Sequence, residues 1–199
     1  MYTAEPVSFS NKSTNVRKID VSQDEFSFFY TDSAMLRDGQ EVTLRPLQPD
    51  DEAAHRAFAA QLSSMDLRQR FFRTIRGLTK AQWRRLIDID YRREMAFIAT
   101  AAPTGGRVET LGVARMVMDS DSLSAEIALI VRSDFKRLGL GQVLLEHLLH
   151  YCRERGVQRI YGTVLPDNTA MLGLARKLGM RQRFVPGERV VAVSLDLAP

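Results

Sequence analysis

The clearest hydrophobic pattern in the chain lies between residues 140 and 155, where apolar side chains recur every three or four positions. One helical face carries the apolar residues Leu144, Leu145, Leu148, Leu149 and Cys152. The polar residues Glu146, His150, Arg153 and Glu154 lie away from that face. This periodicity predicts an amphipathic helix with one face in the core, and Gly156 supplies a residue that ends it.

Shorter apolar runs on both sides of this helix predict β-strands. Strands are expected over residues 42–47, 95–100, 111–117, 125–131, 159–164 and 190–197. Helices are expected to begin at Asp50 or Asp51, to cover residues 67–72, and to begin at Thr79 and at Asn168. A turn at residues 103–106 pairs two of the strands as a hairpin. Because hairpins come first and helices later, the pattern predicts an α+β fold on one mixed sheet.

The N-terminal part of the chain lacks such patterns. Residues 1–35 are rich in polar residues and weakly patterned, with one aromatic cluster at residues 26–30. We interpret them as a flexible arm and residues 36–199 as one domain. The alternative for the aromatic cluster is a strand that binds a partner.

Composition narrows the classes of protein further. The 199 residues are 45% hydrophobic and 26% charged, which is typical of a globular domain with a core. The net charge of +4 suits an anionic ligand but is too dispersed to indicate nucleic acid. Cys152 is the only cysteine, so neither an intramolecular disulfide nor a cysteine metal site is expected. No apolar run approaches the roughly 20 residues of a membrane span, and no secretory signal opens the chain. We therefore expect a cytoplasmic protein without a metal.

The segment before the long helix is basic and contains two glycines. It reads Lys136-Arg137-Leu138-Gly139-Leu140-Gly141, and we expect Lys136 and Arg137 to add positive charge there. The start of a helix has unpaired N–H groups and a partial positive charge, and glycine lets an anion approach the backbone. The segment therefore predicts a phosphate or pyrophosphate site, although a G-x-G alone also fits a basic loop that binds nothing.

Two motifs of the chain resemble those of the GNAT superfamily of N-acetyltransferases. The glycine loop resembles the Q/R-x-x-G-x-G/A motif, with Lys136 where the superfamily usually has Gln or Arg. Residues 164–180 resemble the companion motif, in which Asn168 opens a helix and Leu178-Gly179-Met180 closes it. Residues 70–99, with the opening segment 38–46, are similar to the Pat-type bacterial protein-lysine acetyltransferases. The resemblance covers roughly residues 36–197.

The resemblance implies the GNAT fold, a mixed α/β sandwich whose mostly antiparallel central sheet contains a splayed pair of strands. It also implies acetyl-CoA as the co-substrate, with the pantetheine arm along the splayed strand and the pyrophosphate on the loop amides. Transferred to this sequence, the implied contacts are Leu129, Ile130, Val131, Arg137, Leu138, Gly139, Leu140, Gly141, Gln142 and Asn168. Asn168 has an equally good alternative role as the cap of its helix. The family often fuses this domain to a nucleotide-sensing or synthetase-like region, and we expect neither within these 199 residues.

Glu126 is the candidate general base. A lysine amine has an ordinary pKa of about 10.4 and must lose a proton before it attacks a thioester. Strand alternation places Glu126 on one face with Ala128 and Ile130, so we expect a desolvated carboxylate. The Pat-type resemblance indicates the same residue, while an outward-facing glutamate is the alternative. Many GNAT enzymes have a tyrosine acid on the last helix, where this chain has Ala175.

These observations predict an acetyl-CoA-dependent N-acetyltransferase that acts by direct transfer on a lysine side chain of a protein. The resemblance implies an acyl-CoA synthetase as that protein. Two alternatives stay open, a small-molecule amine acetyltransferase and a non-catalytic acetyl-CoA sensor. A broad groove favours a protein acceptor, and a closed acidic pocket favours a small amine.

Overall fold

One eight-stranded sheet organises the computed structural model, which describes residues 30–72, 79, 85–102 and 106–197. The strands are β1 (Asp32–Met35), β2 (Glu41–Pro46), β3 (Glu94–Ala101), β4 (Glu109–Met118), β5 (Ser124–Val131), β6 (Arg159–Val164), β7 (Arg181–Val185) and β8 (Val190–Asp196). The helices are α1 (Glu52–Ala60), α2 (Ser64–Phe71), α3 (Leu140–Glu154) and α4 (Thr169–Lys177). Each predicted strand is present, and the periodic segment forms α3.

The order of the strands is β1-β2-β3-β4-β5-β6-β8-β7. All neighbours are antiparallel except β5 and β6, which run parallel. That parallel pair is in register only at Ser124–Glu126 with Arg159–Tyr161, and the strands separate beyond it. The predicted mixed, mostly antiparallel sheet with a splayed central pair is therefore confirmed.

Helices cover the two faces of the sheet, and each face has its own apolar cluster. The α3 face contains Ala125, Ile127, Leu144, Leu148 and Cys152, all buried. The α1 face contains a smaller cluster of Leu47, Phe58, Ala96, Ile98 and Val113, with Ile130 packed against it. Alternation along β5 thus sends odd-numbered residues toward α3 and even-numbered residues toward α1 and α2, as the pattern predicts.

Local signals explain where the helices begin and end. The Ser63 hydroxyl accepts a hydrogen bond from the Asp66 N–H, and the Asp66 carboxylate accepts one from the Ser63 N–H, which forms a capping box. Asn168 caps α4 through its side chain. Gly156, with φ of 73°, follows α3 as expected.

Two strands were missed from the sequence, and both are at the edges of the sheet. β1 pairs with β2 through residues that the sequence assigns to the arm, so the ordered sheet begins at Asp32 rather than at residue 36. β7 carries the exposed residues Arg181, Arg183 and Phe184, which leave only a weak apolar pattern. An edge strand buries few side chains, so alternation gives little signal there.

Some predictions fall outside the described residues. They are the arm over residues 1–29, most of the aromatic cluster, the turn at 103–105 and the helix expected from Thr79 over residues 80–84. In the described ranges, no helix combines the length and the apolar character needed to cross a bilayer.

Candidate active site

The glycine loop presents free backbone donors at the start of α3. Arg137 and Gly139 both have left-handed backbone, with φ of 66° and 95°. Within the described ranges, the N–H groups of residues 137–141 donate to no other backbone group. Such a run of unpaired N–H groups at a helix start forms a concave site for an anion. The Gln142 N–H differs, because it already donates to the Gly139 carbonyl at 3.0 Å.

Lys136 does not contribute free charge to this loop. Its ammonium donates to the carboxylate of Asp66, whose side chain is only 1% exposed. A buried carboxylate requires such partners, and Asp66 also accepts from the Ser133 hydroxyl at 2.6 Å. The expectation that Lys136 adds its charge to the anion site was therefore wrong. Arg137 is exposed, so its charge is available to an anion.

A second arginine lies on the loop from a distant part of the sequence. The Arg37 N–H donates to the Leu138 carbonyl at 3.0 Å, and its guanidinium donates to the Arg137 carbonyl at 3.3 Å. The Arg37 side chain also lies 3.8 Å from the position that a Cβ would take at Gly139. Arg37 was missed from the sequence, since only the β1–β2 turn brings it to the loop.

The strand edge that leads away from the loop is open. Leu129, Ile130 and Val131 pair with β4 but not with β6. Gly141 contacts this edge, because a Cβ there would lie 3.2 Å from the Leu129 side chain and 3.7 Å from that of Val131. The loop donors and the unpaired edge of β5 therefore form one continuous surface.

Asn168 lies on the strand-to-helix turn after β6. Its Oδ1 accepts from the Met171 N–H at 3.2 Å, so its role as a helix cap is established. Its side-chain nitrogen makes no hydrogen bond within the described ranges and can still donate to a ligand.

Glu126 marks the closed end of the splay, at the last register pair of β5 and β6. Its side chain is exposed, so the expectation of a desolvated carboxylate was wrong. Alternation correctly gave its face, but the residues of that face that line the cavity beside α1 and α2 are Ala128 and Ile130, farther along β5. From Glu126 to Val131 the strand rises roughly 16 Å toward the glycine loop.

Tyr161 and Asp119 lie beside Glu126 and were not found from the sequence. Tyr161 is the register partner of Glu126, so the two side chains share a face of the sheet. The Tyr161 hydroxyl donates to the Asp119 carboxylate at 2.7 Å, and this bond raises the pKa of Tyr161 to about 12. The phenol is therefore protonated at neutral pH, with its oxygen free to accept a hydrogen bond.

A cavity with about 500 Å³ of empty space, open to solvent, lies on the same face of the sheet. Its lining includes His55 and Phe58 of α1, Arg70 of α2, Arg115 of β4, and Ala128 and Ile130 of β5. Burial, with the charge of Arg115, lowers the pKa of His55 to about 4, so this imidazole is neutral at pH 7. Among the described lining residues there is no carboxylate.

Ala175 is fully buried in α4, which leaves no side-chain acid at that place. Glu94 at the start of β3 pairs with Arg115 of β4 at 3.1 Å. The described ranges contain no group of His, Cys, Asp and Glu side chains arranged to hold a metal ion.

Comparison with known proteins agrees with this geometry. Residues 62–180 match the sequence profile of the acetyltransferase (GNAT) family. An acetyltransferase of Pseudomonas aeruginosa is 33% identical over 144 residues, which cover 72% of this chain and 77% of the relative. The acetyltransferase Pat of Mycolicibacterium smegmatis is 28% identical over 82% of this chain, and the chain spans about half of that relative, 48%.

Solved structures show the same relationship. The GNAT domain of PAT from S. lividans superposes with a TM-score of 0.78 at 27% identity, covering 85% of this chain and 98% of that one. A cAMP-binding acyltransferase from Mycobacterium smegmatis gives a TM-score of 0.58 at 26% identity, covering 86% of this chain and 49% of that one. This chain is an N-acetyltransferase that belongs to the GNAT family, whose members use acetyl-CoA.

Proposed function

We propose that this GNAT acetyltransferase transfers the acetyl group of acetyl-CoA to the side-chain amine of a protein lysine, with Glu126 as the general base. The observation that carries the proposal is the splay between β5 and β6. It leaves the edge at Leu129–Val131 unpaired, with the glycine loop at one end and Glu126 at the other.

The residues around the splay fit acetyl-CoA. The free N–H groups from Arg137 to Gly141 suit its pyrophosphate, and the exposed Arg37 and Arg137 add positive charge. The open edge at Leu129–Val131 suits the amide groups of its pantetheine arm, and Asn168 follows β6, the other strand of the splay. When bound, acetyl-CoA supplies the thioester whose acetyl group is transferred.

Glu126 would take a proton from the acceptor. A lysine is almost wholly protonated at pH 7 and is nucleophilic only after deprotonation. An exposed carboxylate reaches an incoming amine directly or through a water. The Tyr161 oxygen, held beside it by Asp119, can accept a hydrogen bond from the same ammonium and so hold the amine in position.

No side-chain acid is assigned for the departing thiol. The position used by many GNAT enzymes is the buried Ala175. A coenzyme A thiol has a pKa on the order of 8–9, like the thiol of an unperturbed cysteine, so it can leave as the thiolate.

A protein acceptor is favoured over a small amine by the chemistry of the cavity. A pocket for a small cationic amine needs carboxylates, whereas the described lining carries Arg70 and Arg115 and no acid. The relatives also include Pat and a [ribosomal protein bS18]-alanine N-acetyltransferase, whose name gives a protein as its acceptor. With the Pat-type resemblance, an acyl-CoA synthetase is the protein to test first.

The experiment compares the wild-type chain with Glu126→Gln. Purified protein is incubated with labelled acetyl-CoA and either an acyl-CoA synthetase or a cell extract, and modified lysines are identified by mass spectrometry. Glu126→Gln should lower the transfer rate by about 10²–10⁴-fold while calorimetry finds acetyl-CoA affinity within about twofold of wild type. Glu41→Gln, an exposed glutamate on β2, is the matched control and should retain the rate.

Each alternative has its own outcome. A rate that survives in Glu126→Gln would show that another group takes the proton. Binding of acetyl-CoA without turnover on any acceptor would indicate a sensor, and acetylation confined to small amines would exclude the protein acceptor.

A further inference from the structure

Arg70 is a half-buried cation whose charge has no dedicated partner in the described ranges. It lies in the last turn of α2 and lines the cavity on the Glu126 face of the sheet. Its guanidinium carbon lies 5.1 Å from the centroid of the Phe71 ring. Other arginines with little exposure are bound to carboxylates, for example Arg45 to Asp51, and Arg132 to Glu109 and Asp134.

Arg115 shares the cavity with Arg70 but has a structural role. Its guanidinium pairs with Glu94 and donates to the carbonyls of Leu86 and Arg85. These bonds hold the Arg115 side chain in the lining of the cavity. The donors of Arg70 are not committed in this way within the described ranges, and a guanidinium has five of them.

The surroundings of Arg70 make its charge costly. Burial lowers the pKa of Arg70, the like charge of Arg115 lowers it further, and only the carboxylate of Glu126 acts in the opposite direction. An arginine stays charged under all physiological conditions. The free-energy cost of desolvating the guanidinium is therefore offset only when an anion binds to it.

The sequence on both sides of Arg70 is basic. Between Asp66 and Asp88 the sequence contains seven Lys or Arg residues and no Asp or Glu. They are Arg68, Arg70, Arg73, Arg76, Lys80, Arg84 and Arg85. By composition, such a segment suits an acidic acceptor better than a cationic one, and Arg70 is the member of it that lines the cavity within the described ranges.

We propose that Arg70 binds an anionic side chain that lies next to the reactive lysine, so that the preferred acceptor is a lysine in an acidic segment of a protein. The inference rests on the proposed function and names the acceptor class for the same site. The amine of the acceptor lysine lies at Glu126. The neighbouring carboxylate of the acceptor accepts bidentate, charge-assisted hydrogen bonds from the Arg70 guanidinium.

The test uses a set of peptides with one central lysine. Glutamate is placed in turn at each of the two positions before and after the lysine, and each peptide has a counterpart with glutamine at the same place. The measured quantity is the ratio of kcat/KM for each glutamate peptide to that for its glutamine counterpart. Wild type, Arg70→Gln and Arg56→Gln are compared. Arg56 is an exposed arginine of α1, paired with Glu52 and absent from the lining of the cavity.

The proposal predicts a ratio of about tenfold or more for at least one position in wild type, since a bond between charged groups is worth that much. Arg70→Gln should reduce this ratio to about one, and Arg56→Gln should leave it unchanged. Thermal denaturation checks that Arg70→Gln is folded.

Two results would overturn the proposal. One is a wild-type ratio near one at every position. The other is an equal loss of rate on both peptides of a pair in Arg70→Gln, because that would show that Arg70 acts only through Glu126. Either result leaves the proposed function standing if lysine peptides are still acetylated in a Glu126-dependent manner.

Discussion

Asp66 joins α2 to the loop that begins the anion site, and replacing it with asparagine tests that link. Its carboxylate accepts from the Ser63 N–H at 2.9 Å, the Ser63 hydroxyl at 2.8 Å, the Ser133 hydroxyl at 2.6 Å and the Lys136 ammonium. Asp66→Asn keeps the size of the side chain. It removes the charge and replaces one accepting oxygen with a donor that faces other donors.

The expected cost follows from these contacts. The lost bond to Lys136 is charge-assisted and worth about 1.5–3 kcal/mol, and it lies at the upper part of that range because Asp66 is buried. The negative charge in the first turn of α2 adds about 0.3–1 kcal/mol through the helix dipole. We therefore expect a loss of about 3 kcal/mol, which corresponds to a fall in Tm of about 6–12 °C for a domain of this size.

The effect should depend on pH. Burial opposes ionisation of Asp66, but the hydrogen bonds from Lys136, Ser133 and Ser63 outweigh it and lower the pKa of this carboxyl. A lowered pKa in the folded state contributes stability above the unfolded pKa of about 3.9, and that stability is lost as the pH falls through the folded value. The difference in stability between wild type and Asp66→Asn should therefore be full at neutral pH and shrink below about pH 4.

Differential scanning calorimetry of the two proteins, with Asp134→Asn as the control, measures this effect. Asp134 undergoes the same chemical change, but its side chain is 59% exposed where that of Asp66 is 1% exposed. Its loss should cost about 1 kcal/mol or less. If both variants lower the Tm by the same small amount, the assignment of Asp66 as the anchor of the loop is wrong.

Three further predictions concern the loop and the core. Gly139→Ala should lower the free energy of unfolding by about 1–2 kcal/mol, because φ of residue 139 is 95° and a residue with a Cβ disfavours that left-handed backbone. Unchanged stability of this variant in chemical denaturation would contradict the left-handed backbone. Arg37→Gln should weaken acetyl-CoA binding in calorimetry, and the difference from wild type should shrink at about 1 M salt, where exposed charges are screened; an unchanged affinity would remove Arg37 from the site. Cys152 is buried and its pKa is raised by burial to about 12, so it should not react with a thiol reagent in the native protein; rapid reaction would contradict its place in the core.

Periodicity was sufficient for the parts of the fold that bury one regular face. α3 and the strands β2 to β6 and β8 follow from it, and so does the face of β5 that carries Glu126. It was insufficient for β1 and β7, which lie at the sheet edges and alternate weakly.

The errors at the site have physical causes. Alternation gives the face of Glu126 but not whether a helix covers it, so the expected burial was wrong. Lys136 was assigned to the anion site because its partner Asp66 lies 70 residues earlier in the chain. Arg37 reaches the site because the β1–β2 turn lies against the glycine loop. Tyr161 reaches it because β6 pairs with β5 in parallel. Neither residue has a local signal in the sequence.

The central claim is that acetyl-CoA lies along the splay, with its pyrophosphate on the amides of the glycine loop. Backbone amide chemical shifts, recorded while acetyl-CoA is titrated into the labelled protein, test it most directly. We expect the largest changes at residues 137–141, with further changes at residues 129–131. Saturable changes that are confined to another part of the chain, or no changes at all, would contradict it.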